Sequence, residues 1–202
     1  MPEETHTEEE STSTRRQDLV RAAFNRIADA GFEGLRTRDV AADAGVNVAT
    51  LHYYFPTKEA LIRGVVGHAM MRFSQSMPRE GSAAEQLRWH LSFLRRLLKE
   101  DTQLFAVLAE LTLRAPRDPV IAGILQNTDE PWHRKVAALL RSALEQGCID
   151  AGIDPEDGAA FIIAAIKGLS LPGNPEIHDR RVDQTFDQLE RWLGLAPERP
   201  SM

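Results

Sequence analysis

The stretch Thr37–Lys58, TRDVAADAGVNVATLHYYFPTK, limits what this chain can fold into more than any other. Two short helical patterns meet there at one glycine. Thr37 is a residue type that caps helices, and Val40, Ala41 and Ala44 fall on one face of the helix it opens. Gly45 accepts the left-handed backbone that ends a helix, because it has no Cβ to clash. Asn47 can cap a second helix, in which Leu51 and Tyr54 share one side. Pro56 closes that helix, since the residue before a proline is pushed out of α geometry. Two helices on a short turn, with the small Ala41 where they approach, make a helix-turn-helix.

The flanks supply a core for this unit. Val20, Ala23, Phe24 and Ile27 form a helical stripe that Gly31 stops, and Phe32 and Leu35 plug against Val40, Leu51 and Tyr54. From Thr57 a third helix runs towards Met77, with Leu61, Val65, Ala69 and Phe73 on one side. The run PREG (78–81) breaks the chain; Leu87, Leu91, Leu94 and Leu98 then mark a helix to about Glu100, and another spans Leu104 to Arg114. A break at APRDP precedes a segment from Val120 to Gln126. In NTDEPW, Asp129 is placed to cap and Pro131 to sit in the first turn of a helix reaching Gly147. After the loop CIDAGIDPEDG, Asp154 and Pro155 restart a helix through Leu171. LPGNPE breaks again before a last helix carrying Val182, Phe186, Leu189 and Leu193.

No strand pattern and no internal repeat survives this reading. The expected fold is all-α with nine or ten helices. An N-terminal three-helix domain carrying the helix-turn-helix occupies 15–57, and a larger helical domain occupies 58–196. Residues 1–14 read as a disordered acidic tail and 197–202 as a second disordered tail.

Charge is distributed unevenly. The net charge of −6 over 202 residues would argue against nucleic acid if it were spread evenly. Residues 1–10 hold five acids and no Lys or Arg, and residues 73–202 hold fifteen Lys/Arg against nineteen acids. Residues 11–72 hold nine Lys/Arg against six acids, so the one positive block contains the helix-turn-helix. Cys148 is the sole cysteine, which leaves no intramolecular disulfide framework and suits a cytoplasmic protein. No signal peptide and no apolar run of bilayer length is present, so no membrane role is expected.

The segment GLRTRDVAADAGVNVATLHYYFPTKEALI (34–62), with LVRAAFNRIADAGF before it, is similar to the N-terminal domain of tetracycline-repressor (TetR-type) transcriptional regulators. The close match covers roughly residues 15–65, and His52 stands where that family often carries a tyrosine. The resemblance implies that Arg38, beside Thr37 at the start of the supporting helix, reaches a base or phosphate. A recognition helix docked by its N-terminal end presents Val48, Ala49, Thr50, His52 and Tyr53 to DNA. Val48 and Ala49 suit a thymine methyl, and Thr50 can also hydrogen-bond a base edge. Tyr53 and His52 are long enough for phosphates. Lys58, in the first turn of the next helix, reads as a phosphate clamp where the helix dipole already favours an anion.

The resemblance also implies a largely apolar ligand cavity between residues of about 60 and 170. The residues assigned to its wall are Trp89, Phe93 and Phe105, with His90 or Arg114 orienting the ligand. One recognition helix covers too few bases, so a homodimer on a near-palindromic operator is expected. Its contacts are assigned to Val136, Leu140 and Leu144 on one helix and to Ile162, Ala165 and Leu169 on another; the alternative for these arcs is intrachain core. His90, His133 and Cys148 lack metal-ligand spacing, and no GxSxG, HExxH, Walker A or GxGxxG pattern occurs, so neither a metal, a cofactor nor an enzyme is expected. The reading is a DNA-binding regulator, most simply a repressor released by an apolar or aromatic effector. The rivals are a module of the same shape that binds ligand but no DNA, and a helical-bundle enzyme.

Overall fold

Apolar stripes closed by caps and glycines set the elements of the computed structural model, which describes residues 3–74, 80–171 and 175–195. Among these residues there is no strand. Helices α1 (Glu3–Ala30), α2 (Thr37–Asp43), α3 (Val48–Tyr54) and α4 (Lys58–Ser74) lead to α5 (Ala83–Glu100) and α6 (Thr102–Arg114). Then come α7 (Pro119–Glu145), α8 (Pro155–Leu169) and α9 (Pro175–Trp192), with single 3₁₀ turns at Phe32–Gly34 and Ala115–Arg117. The expected helix end at Met77, part of the PREG break, residues 172–174 of LPGNPE and the tail at 197–202 lie outside the described residues.

The chain divides into two units. The first holds residues 1–71 and 106–125, and the second holds 72–105 and 126–202. Helices α4, α6 and α7 each contribute residues to both.

In the first unit α1 packs on the 3₁₀ turn and on α2, and α2 packs on α3. Leu19, Val20, Ala23, Phe24 and Ile27 of α1 are buried, as are Phe32, Leu35, Val40, Ala41 and Leu51. Tyr54, expected in this core, is half-buried and lies edge-on to Tyr53 at 5.1 Å. Phe55 takes the core place instead and is 1% exposed. It is the residue that Pro56 forces out of the helix, so its ring turns inward as the chain leaves α geometry. Gly64 of α4 allows this: a Cβ there would come within 2.9 Å of Val20 and 3.1 Å of Phe55.

In the second unit α5 and α8 both pack on α9. Leu87, Leu91, Leu94 and Leu98 form the buried stripe of α5, and Val182, Phe186, Leu189 and Leu193 that of α9. Ser82 and Glu85 close a reciprocal capping box on α5, and Asp154 caps α8 by accepting from the Glu156 and Asp157 amides. Arg95 bridges Asp183 and Asp187 of α9 at 2.7 and 2.8 Å, and Lys99 joins Asp183 at 2.6 Å. Lys99 chiefly, then Arg95, holds the Asp183 carboxyl below the usual aspartate range.

Three boundaries differ from expectation. Helix α1 begins at Glu3, so residues 3–14, read as a disordered tail, are helical. Glutamates favour helix and its positive N-terminal end. Helix α2 begins at Thr37 itself, because Leu35 and Arg36 are spent closing the preceding turn, and Arg36 supplies an extended cap with no side-chain bond. The break expected at NTDEPW does not occur: α7 runs through, with Pro131 inside it. Asp129 pairs with Lys167 of α8 instead of capping. The buried residues on either side, Ile124 and then Val136, Ala137 and Leu140, hold α7 helical across the one amide the proline lacks.

Candidate functional site

The α2–turn–α3 unit is assembled by its own local bonds. Gly45 has φ +66°, as the left-handed turn requires. The Asn47 side chain accepts from the Thr50 amide at 2.8 Å and from the Thr50 hydroxyl at 3.1 Å, fixing the first turn of α3. With Leu51 buried, the opposite side of α3 faces outward. Ala49, His52 and Tyr53 are exposed, Tyr53 to 77%, while Val48 and Thr50 are half-buried. Thr37 is half-buried at the start of α2, beside exposed Arg36 and Arg38. Asp43, a carboxylate that could have neutralised Arg38, is taken by a two-point contact from Arg26. That contact holds the Asp43 carboxyl below its usual range. Among the described residues Arg38 makes no ion pair. Of the residues assigned to DNA on α2 and α3, Arg38, Ala49, His52 and Tyr53 are therefore exposed, and Thr37, Val48 and Thr50 are half-buried.

Lys58 opens α4. Thr57 accepts from the Ala60 amide at 3.1 Å, as a capping hydroxyl does. The Lys58 ammonium lies over the Phe32 ring, 4.3 Å from its centroid. Arg114 lies over the same ring at 4.1 Å and pairs with Glu33 at 3.0 Å. Burial pushes the Lys58 ammonium below its ordinary value and Arg114 adds to this, while Glu33 and Asp118 act the other way. Glu110 accepts the Phe32 amide at 3.1 Å. Sequence reasoning missed this arrangement because residues 110 and 114 are distant in the chain from residue 32. Only Arg114 drew attention, and as a ligand contact. Its contacts here are Phe32 and Glu33.

The other ligand candidates separate by helix face. Trp89 is 53% exposed on α5, and Phe93, one turn on, is half-buried with Arg96 over its ring at 5.5 Å. His90 points the other way and is 1% exposed. The Trp132 indole N–H donates to His90 Nε2 at 3.4 Å, which requires that nitrogen to be unprotonated. Phe73 lies 6.1 Å from both Phe105 and Trp132, so His90, Phe105, Phe73 and Trp132 form one aromatic cluster within the second unit. Two of its members are from the expected set. Periodicity places Phe73 on the face of its helix, and no local signal joins it or Trp132 to His90.

Of the dimer candidates, Val136, Leu140 and Ile162 are fully buried inside the subunit, while Leu144, Ala165 and Leu169 are half-buried. The outward face of α8 carries Ala160, Phe161, Ala164 and Gly168 instead, with Phe161 55% exposed and edge-on to Trp192 of α9 at 5.2 Å. Among the described residues no group of His, Cys, Asp and Glu could hold a metal, and no helix is long and apolar enough to cross a membrane.

Comparison with known proteins agrees with this geometry. Residues 19–65 match the model for bacterial regulatory proteins of the tetR family. Residues 83–193 match the C-terminal domain of BetI-type transcriptional repressors. The nicotine-responsive transcriptional repressor HdnoR of Paenarthrobacter nicotinovorans is 23% identical over 192 residues, covering 89% of this chain and 97% of its own. A TetR transcription regulator from Haloarcula marismortui has the same fold, with a TM-score of 0.80 at 18% identity over 90% of this chain and 97% of its own. So does AibR, solved with isovaleryl coenzyme A and operator DNA, with a TM-score of 0.68 at 19% identity over 87% and 97% of the two chains. These matches are to regulators and not to enzymes. With one model covering the helix-turn-helix and the other spanning more than half of the sequence, the chain belongs to the TetR family of transcriptional regulators.

Proposed function

We propose that this regulator binds a near-palindromic operator as a homodimer in the cytoplasm, represses transcription there, and is released by a small apolar or aromatic effector. The observation that carries the DNA reading is the outward side of α2 and α3, where exposed Arg38 makes no ion pair among the described residues and Tyr53 stands 77% exposed. Arg38, Tyr53, His52 and Lys58 take phosphates, and Val48, Ala49 and Thr50 take base edges and thymine methyls. Thr37 adds a hydroxyl at the start of α2. A module that has lost DNA has no reason to keep this face.

For the effector, the supporting feature is the buried aromatic cluster of His90, Phe105, Phe73 and Trp132, which suits an apolar or aromatic molecule. Relatives support the general scheme: HdnoR is described as nicotine-responsive, and AibR was solved with both a small ligand and DNA. An effector releases DNA only if it binds the DNA-incompetent state more tightly, and DNA then weakens effector binding by the same factor. Helices α4, α6 and α7, each continuous across both units, supply the covalent path for that coupling. For the dimer, the outward strip of Phe161, Ala164, Ala165 and Gly168 on α8, with Trp192 of α9, fits a four-helix bundle between copies.

The test is to select genomic fragments with the purified full chain and to footprint the best of them. Two protected half-sites about 34–36 Å apart are expected. Phe161→Glu should give a folded monomer by sedimentation that no longer protects either half. Absence of any selected sequence at low salt would overturn the DNA reading.

A further inference from the structure

Lys58 is not an isolated surface lysine. Its ammonium rests on an aromatic face, and that face is itself fixed by two residues of α6. Glu110 accepts the Phe32 amide at 3.1 Å, and Arg114, one turn further on, lies 4.1 Å from the ring centroid and pairs with Glu33. Residues four apart on a helix share a face, so α6 grips the Phe32–Glu33 corner at two points. The ring in turn holds the Lys58 nitrogen 4.3 Å from its centroid. A flexible lysine stem normally loses much rotamer freedom when it meets a phosphate, and a ring that preselects its position reduces that loss. All of these residues belong to the first unit.

We propose that Phe32 and Arg114 are positioning residues for the phosphate contact of Lys58, with α6 setting where the ammonium sits through the Phe32 ring. This rests on the DNA-binding reading above and deepens it. A cation at a helix N-terminus opposes the helix dipole until an anion arrives. The ring and the neighbouring acids Glu33 and Asp118 keep Lys58 tolerable there in the free protein. Two cations on one ring also repel, so Arg114 biases Lys58 towards an incoming phosphate. Any shift of residues 110–114 would then move the ammonium, without a change in the recognition helix.

The experiment is a double-mutant cycle on the full chain. The probe is a fluorescein-labelled DNA duplex of mixed sequence, about thirty base pairs long, followed by anisotropy from 50 to 200 mM salt. Lys58→Gln should reduce the slope of log affinity against log salt by about 0.9 per subunit. Phe32→Leu, which keeps bulk but loses the π face, should weaken binding roughly three- to tenfold and reduce the slope likewise. Phe32→Tyr should restore both. Arg114→Met, at a half-buried site that tolerates the change, should weaken binding roughly two- to fivefold. In the Lys58→Gln background the effects of Phe32→Leu and Arg114→Met should vanish. If they persist undiminished there, they act on the fold or on DNA directly, and positioning is overturned while the DNA reading stands. If Lys58→Gln leaves the slope unchanged, the phosphate role of Lys58 and this proposal fall together. If the unaltered chain binds no duplex at any salt, the functional reading itself falls.

Discussion

Both units pair cations with acids, and they differ in which cations are left over. In the second, cations are paired across helices: Arg95 and Lys99 of α5 meet Asp183 and Asp187 of α9, Arg141 of α7 meets Glu156 at 2.8 Å, and Lys167 meets Asp129. In the first, Arg21, Arg26, Arg63 and Arg114 pair with Asp18, Asp43, Glu59 and Glu33, while exposed Arg38 makes no ion pair among the described residues. Paired cations tie helices together and have little left for a ligand. A cation without a partner adds little to stability and is available to a polyanion. On the proposed DNA reading, binding capacity would collect at such a cation, and stability where burial and pairing coincide.

The largest expected contrast separates burial from exposure. Phe186→Ala, at the centre of the second unit, should cost about 3–5 kcal/mol in urea unfolding. Tyr53→Ala should change stability by no more than about 0.5 kcal/mol and still weaken DNA binding. Equal destabilisation by the two would break the comparison.

Gly64→Ala comes next. Its new methyl would meet Val20 at 2.9 Å and Phe55 at 3.1 Å, so a loss of about 1–3 kcal/mol is expected in thermal unfolding. A neutral result would mean that Phe55 moves freely and does not anchor α3 to α4. Caps sharpen the contrast further. Asn47→Ala and Asp154→Ala should each cost about 1 kcal/mol, yet only the first should weaken DNA binding, because it loosens the first turn of α3.

The smallest effect is electrostatic. Asp183 is held below its usual range by Lys99 and Arg95, so on acidification the unfolded chain takes up its proton first. The stabilisation is present above the ordinary aspartate value of about 4 and is lost as pH falls below it. Asp183→Asn should therefore cost at most about 1 kcal/mol at pH 7 for so exposed a pair, and progressively less as pH falls through the lowered folded-state value. A cost independent of pH would show that charge is not the cause.

What the sequence made legible follows the same division. The helix-turn-helix is written within some twenty residues: Gly45 takes the left-handed turn and Asn47 caps α3 by local rules. Phe55 escaped because a residue before proline gives no sign of which way its ring turns. Pro131 misled for the opposite reason, since a strong local breaker was overruled by distant packing and by the pairing of Asp129 with Lys167. Val136, Leu140 and Ile162 show the limit of periodicity, which marks an apolar arc but not whether a subunit covers it with its own helices. The Lys58–Phe32–Arg114 arrangement joins residues from three places in the chain, and no local pattern encodes it.

The central claim is that Arg38, exposed and in no ion pair among the described residues, serves to bind DNA. Its most direct test is the salt dependence of operator affinity for the unaltered chain and for Arg38→Ala, using the selected fragment. The account predicts a steep, linear fall of log affinity with log salt, made shallower by about 0.9 per subunit when Arg38 is removed, with thermal stability unchanged. An affinity that ignores salt, or a slope that Arg38→Ala leaves as it was, would contradict it.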